Sequence, residues 1–147
     1  MSLDEILTRD LTSAIRSRDS LCRDVLRMVR NAIKYEEIDK GRNLEDPEVI
    51  QVLQRQRKQR EESITEFRRG NREDLADKES AELEIISRYL PALMNRNEIV
   101  SIATQTIEEL GASGPNEKGK VMGRLMGQLR GKADGVLVNE VVTELLG

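Results

Sequence analysis

Apolar residues recur along this chain at intervals of three and four, the period of an amphipathic α-helix, and nowhere alternate long enough to suggest a strand. Leu3, Ile6, Leu7, Leu11, Ala14 and Ile15 follow the capping-box pair Ser2 and Glu5 and predict a first helix to about Ile15. A second runs from Leu21 to about Asp39, with Leu21, Val25, Met28, Val29, Ala32 and Ile33 on its core side. Gly41 and Asn43 mark a turn. Asp46-Pro47-Glu48 then reads as an N-cap, a proline at the first helical position and an acid near the positive end of the helix dipole. This third helix extends to about Arg69. Its apolar line of Val49, Val52, Leu53, Ile64 and Phe67 is interrupted by Gln56 and Arg60. A half-buried arginine needs an acidic partner, so Arg60 is expected in a structural ion pair.

Gly70-Asn71 ends that helix, and Leu75, Ala76, Leu83, Ile86, Tyr89 and Leu90 predict a fourth, rich in acids between Glu73 and Glu84. Pro91 stops it, because the residue before a proline is driven out of the α region. Asn95 with Glu98 opens a fifth helix, which Gly111 closes, and Asp134 is placed to cap the last, whose core face is Val138, Val141, Val142 and Leu145. The expected architecture is all-α. Residues 1–93 form an N-terminal bundle of about four helices, and residues 94–147 a small three-helix C-terminal unit.

The least ordinary stretch is Lys118 to Lys132, read as one helix. Val121, Met122, Leu125, Met126 and Leu129 share an apolar arc, while Gly119, Gly123, Gly127 and Gly131 recur every fourth residue on the other side. Each glycine inside a helix costs roughly 0.5–1 kcal/mol against alanine. A line without side chains admits another backbone closely. It fits a neighbouring helix of this chain or of a partner; with Lys118, Lys120, Arg124, Arg130 and Lys132 beside it, it also fits an RNA phosphate backbone. A second basic stripe, Arg23, Arg27, Arg30 and Lys34, lies on the second helix. Six basic and two acidic residues between Arg16 and Lys34 leave a local charge of +4, suited to RNA phosphates or to the acidic faces of neighbouring helices.

Composition narrows the chemistry. Of 147 residues, 35% are charged and 2% aromatic, with no tryptophan and no histidine, and the net charge of −3 leaves polyanion binding to local patches. Without histidine, the Ser-His-Asp, Cys-His and imidazole–zinc arrangements are closed, and the lone Cys22 cannot build a thiolate metal site. The glycines lie within a helix and follow no strand, so they are not a nucleotide cradle. No catalytic residue, metal or cofactor is expected. No apolar run resembles a signal peptide or a membrane span, and the one cysteine suits a reducing compartment, so a soluble cytoplasmic protein is expected.

Four motifs in order, Lys58-Gln59-Arg60-Glu61-Glu62-Ser63-Ile64, Tyr89-Leu90-Pro91, Gly119-Lys120-Val121-Met122-Gly123 and Gly131-Lys132-Ala133-Asp134-Gly135, resemble the YqeY-like family over nearly the whole chain. That family is related to the C-terminal tail region of the B subunit of the tRNA-dependent (glutamyl/aspartyl-tRNA) amidotransferase, the part that contacts the tRNA elbow. The resemblance implies an accessory protein binding tRNA or another structured RNA, with an amidotransferase or aminoacyl-tRNA synthetase subunit as partner. Two alternatives stand beside it: a helical protein-interaction module, and a carbon–nitrogen ligase with glutamine as amido donor within an amidotransferase complex. The amidase serine–lysine centre and the phosphorylating cradle domain of the full enzyme have no counterpart in these residues.

Overall fold

The computed structural model describes residues 1–147, and every regular element in it is helical. Seven α-helices follow one another: α1 Leu3–Ser17, α2 Ser20–Lys40, α3 Asp46–Arg69, α4 Glu73–Ser87, α5 Arg96–Leu110, α6 Lys118–Leu129 and α7 Gly135–Leu146, with a single 3-10 turn, Pro115–Glu117, ahead of α6. The chain divides into two compact units, Met1–Leu90 and Pro91–Gly147.

In the first unit, the apolar faces of α1 to α4 meet in a core that includes Leu7, Val25, Leu26, Val29, Ile33, Leu53 and Ile86. Ser2 caps α1 by accepting from the Glu5 N–H at 3.2 Å. Helix α3 begins one residue earlier than its sequence signals suggest. Glu45 is the N-cap, and Asp46 is already helical. The Asp46 carboxylate accepts instead from the Leu3 N–H at 2.9 Å, fastening the start of α1 to the start of α3. Glu48 holds the same corner. Its carboxylate accepts from the Glu45 N–H at 3.1 Å and takes the Arg42 guanidinium in a two-pronged pair at 2.8 and 2.9 Å.

Farther along α3 the interior turns polar. Arg57 and Arg60 are both buried. Arg60 donates to the Gln56 side-chain oxygen at 2.7 Å, its Nε lies 3.4 Å from a carboxylate oxygen of Glu82 on α4, and its Nη2 is 3.7 Å from the sulfur of Met28. Helix α4 ends at Ser87, short of Pro91. Arg88, Tyr89 and Leu90 continue as a tighter turn, each N–H donating to the carbonyl three residues back.

The second unit packs Ile99 and Ala103 of α5, Val121, Leu125 and Leu129 of α6, and Val138, Val141 and Val142 of α7 into one apolar core. Asn95 caps α5 by accepting from the Glu98 N–H at 2.9 Å, and Asp134 caps α7 by accepting from the Val136 N–H at 3.0 Å. Helix α6 stops at Leu129, sooner than the periodic glycines suggest. Arg130 leaves the helix with ψ 126°, and Gly131 takes φ 78°, the left-handed region that glycine occupies without a steric penalty. The Lys132 and Ala133 N–H groups donate to the Leu129 carbonyl at 2.9 and 3.1 Å, and the Lys132 carbonyl accepts from Met94 at 2.9 Å. That last bond ties the entry of the unit to the turn before α7.

Candidate nucleic-acid interface

Helix α6 turns Val121, Leu125 and Leu129 inward, each fully or almost fully buried, and half-buries Met122 and Met126 at the margin. A 100° step per residue then places Gly119, Gly123 and Gly127 on the outer side, where all three are exposed. A Cβ added at any of them would meet nothing within 4 Å. The glycines therefore admit no neighbouring helix of their own unit. They leave a bare strip of backbone open to the outside.

The charges along that strip follow an unusual order. Lys118 and Lys120 occupy the first turn of α6, which contains no acid, so two cations stand at the positive end of the helix dipole; of the two, Lys120 lies beside the strip, while Lys118 is half-buried on the core side. The acid just before them, Glu117, is engaged elsewhere: its carboxylate accepts from the Ser113 N–H at 2.7 Å. Arg124, one turn on, reaches Glu109 of α5 only at 3.8 Å, with both side chains about half exposed. Arg130 and Lys132 are exposed in the turn beyond α6, where Gly131 serves the chain reversal instead of the helical strip. Lys118, Gly119, Lys120, Gly123, Arg124 and Gly127 thus share one helix, and Arg130 and Lys132 extend the basic character past its end.

The second basic stripe is divided. On α2, Arg23 is held by Asp24 at 2.9 Å and Arg30 lies 3.8 Å from Asp4, whereas Arg27 and Lys34 are exposed and form no ion pair. Two positions of α2 differ from expectation. Met28, placed on the core side by periodicity, is 50% exposed, and Tyr35, expected with Phe67 and Tyr89 at a core or boundary position, is 76% exposed. Both sit at the edge of the α2 core arc, where the coverage supplied by α1 and α3 decides burial and one helix's pattern carries no record of it.

One cleft, of about 320 Å³, opens in the first unit between Asp10, Ser13, Ser17, Cys22, Arg88 and Tyr89. Burial, followed by the nearby Asp19 charge, raises the Cys22 thiol above its ordinary value. The Tyr89 hydroxyl donates to Asp10 at 2.6 Å, and burial together with that bond pushes the phenol well above its usual range. Both groups hold their protons at neutral pH, so the cleft presents no activated nucleophile. No group of three or more His, Cys, Asp or Glu is placed to hold a metal ion, and no helix is long and apolar enough to cross a membrane.

Comparison with known proteins adds what geometry cannot. The chain is 34% identical to altered inheritance of mitochondria protein 41 of Kluyveromyces lactis, over 75% of this chain and 61% of that protein. It is 34% identical to the Lachancea thermotolerans protein of the same name, over 75% of this chain and 60% of that one. For the Pyrenophora tritici-repentis protein the figures are 32% identity, 96% of this chain and 79% of the relative. The chain spans about three fifths of the length of the first two relatives. All three are named as mitochondrial proteins, which overturns the cytoplasmic location expected above; composition and a single cysteine do not distinguish the cytosol from an organelle interior. The family model described as Yqey-like protein matches residues 4–146, and the chain belongs to that family.

Proposed function

We propose that this protein is a non-catalytic RNA-binding accessory factor whose α6 face receives the backbone of tRNA or another structured RNA. The observation that carries this reading is the open glycine strip. Gly123 and Gly127 stand mid-helix where nothing in the chain would resist a side chain, so their cost to the helix is accounted for by a visitor that must approach the backbone. The charges favour a phosphate backbone as that visitor. Lys118 and Lys120 add to the positive helix end instead of opposing it, and Lys120 and Arg124 flank the glycines one step around the helix. All three aromatic residues lie in the first unit, so α6 offers no surface for stacking bases; recognition there would be by shape and charge.

The test is binding of purified tRNA across a salt series to the native chain, to Lys120→Glu/Arg124→Glu/Arg130→Glu, and to Gly123→Gln/Gly127→Gln. Native binding should weaken steeply with salt, by about one logarithmic unit of affinity per logarithmic unit of salt for each phosphate contact. The charge-reversed protein should lose binding. The glutamine variant, which adds bulk and no charge, should bind at least tenfold more weakly while remaining folded, about 1.4 kcal/mol of lost affinity. Salt-insensitive or absent RNA binding by the native chain would sink the reading in favour of a partner helix on the same strip.

A further inference from the structure

Helix α2 presents a second surface, of different chemistry and independent of the RNA reading. Of the chain's seven large apolar side chains that stand exposed, three belong to this helix: Met28 at 50%, Tyr35 at 76% and Ile38 at 79%. At 100° per residue they fall within an arc of about 80°, and at 1.5 Å per residue they run along about 15 Å of it. Single exposed apolar residues are ordinary; a row of three on one face is the form an interaction site takes.

The cations of α2 point the same way. Arg23, Arg30 and Lys40 are paired with Asp24, Asp4 and Glu48. Arg27 and Lys34, seven residues apart and so within about 20° of each other, have no partner and run along the Ile38 edge of the row. On the opposite edge Glu36 is paired with Arg55. The surface is an apolar row crossed by the exposed Asn31, with an uncompensated basic border on the Ile38 side and the exposed Asp39 on the Met28 side. We propose that it receives an acidic amphipathic helix of a partner protein, whose apolar side chains cover Met28, Tyr35 and Ile38 and whose carboxylates meet Arg27 and Lys34. RNA fits less well, because isoleucine and methionine give a phosphate or a base nothing to bond.

The probe is a synthetic helix-forming peptide of about 18 residues, five turns at 3.6 residues each, with leucines at helical spacing and glutamates along one border. A shuffled peptide and a glutamate-to-lysine peptide are the controls, and binding is read by fluorescence anisotropy against the full chain. The acidic amphipathic peptide should bind at least about tenfold more tightly than either control. Tyr35→Ser/Ile38→Ser should abolish the preference, and Arg27→Glu/Lys34→Glu should transfer it to the lysine peptide. All four positions are exposed, so the variants fold. Equal binding of all three peptides, or no effect of either variant, overturns the proposal. So does sedimentation showing self-association that Ile38→Ser breaks, which would assign the stripe to a second copy of this chain, or tRNA binding that Tyr35→Ser/Ile38→Ser removes. Loss of RNA binding confined to the α6 variants leaves the peptide result standing, so the two surfaces fail separately.

Discussion

The two units both contain residues that their helices do not favour, and they place them on opposite sides of the packing. In Met1–Leu90 the anomaly is internal: Arg57 and Arg60 are buried along a helix face that should be apolar. In Pro91–Gly147 it is external: the core is apolar apart from Thr106, and the unfavourable residues are Gly119, Gly123 and Gly127 on the outside of α6. Contacts within the chain account for Arg60, through a hydrogen bond to Gln56 and a charge pairing with Glu82 that leaves its buried Nε without a hydrogen bond. No packing within the second unit accounts for the glycines. A costly residue satisfied by its own fold belongs to architecture, whereas one left unsatisfied points to a partner.

The largest effect that would sharpen this contrast comes from Arg60→Ala. It strands the mostly buried Glu82 carboxylate and should cost about 3–5 kcal/mol of stability in the first unit. Replacing both partners, Arg60→Leu/Glu82→Leu, should recover most of that loss; urea denaturation followed by tyrosine fluorescence compares the two, and a double variant no better than the single one would refute the ion-pair account. The second unit should behave in the opposite sense. Gly123→Ala/Gly127→Ala should raise its stability by about 1–2 kcal/mol, visible as slower amide exchange in α6, and should lower RNA affinity at the same time. Stabilisation with unchanged RNA binding would break the comparison.

Smaller again, Asp134→Ala should destabilise the second unit by about 1 kcal/mol through loss of the α7 cap, leaving the salt dependence of RNA binding as it was. The mildest effect concerns acid. Arg42, then Lys40, hold the half-buried Glu48 carboxyl well below its ordinary 4.5. Its contribution is fully present above that ordinary value and fades as pH falls toward the depressed one, so Glu48→Gln should flatten the acid limb of the first unit's stability profile and change little at neutral pH.

The sequence carried most of the helices because caps and periodicity are local properties. Ser2, Asn95 and Asp134 cap as side chains of their type do, and the α6 core face followed from spacing alone. What escaped depended on distant residues or on competing local geometry. Asp46 looks like an N-cap until Leu3, 43 positions away, claims its carboxylate. Gly131 continues the four-residue glycine period, yet the turn into α7 draws it off the helix. Met28 and Tyr35 occupy the border of a helix face, where burial is decided by how far the neighbouring helices reach. The basic residues of both stripes could be named in advance; which of them lack an acidic partner could not, because Arg30 meets Asp4 and Arg124 approaches Glu109 only through tertiary packing.

The hydrogen bond from Tyr89 to Asp10 also gives the molecule an optical label. Tyr35, Phe67 and Tyr89 all belong to Met1–Leu90, and the chain has no tryptophan, so near-ultraviolet absorption, circular dichroism and emission report on that unit alone. Within it the two phenols differ: Tyr35 is open to solvent, while Tyr89 is bonded to a carboxylate and should ionise well above the ordinary 10. The second unit is dark at these wavelengths. One tryptophan introduced there, at a half-buried margin such as Met122, would let the two units be followed by separate signals in a single melt.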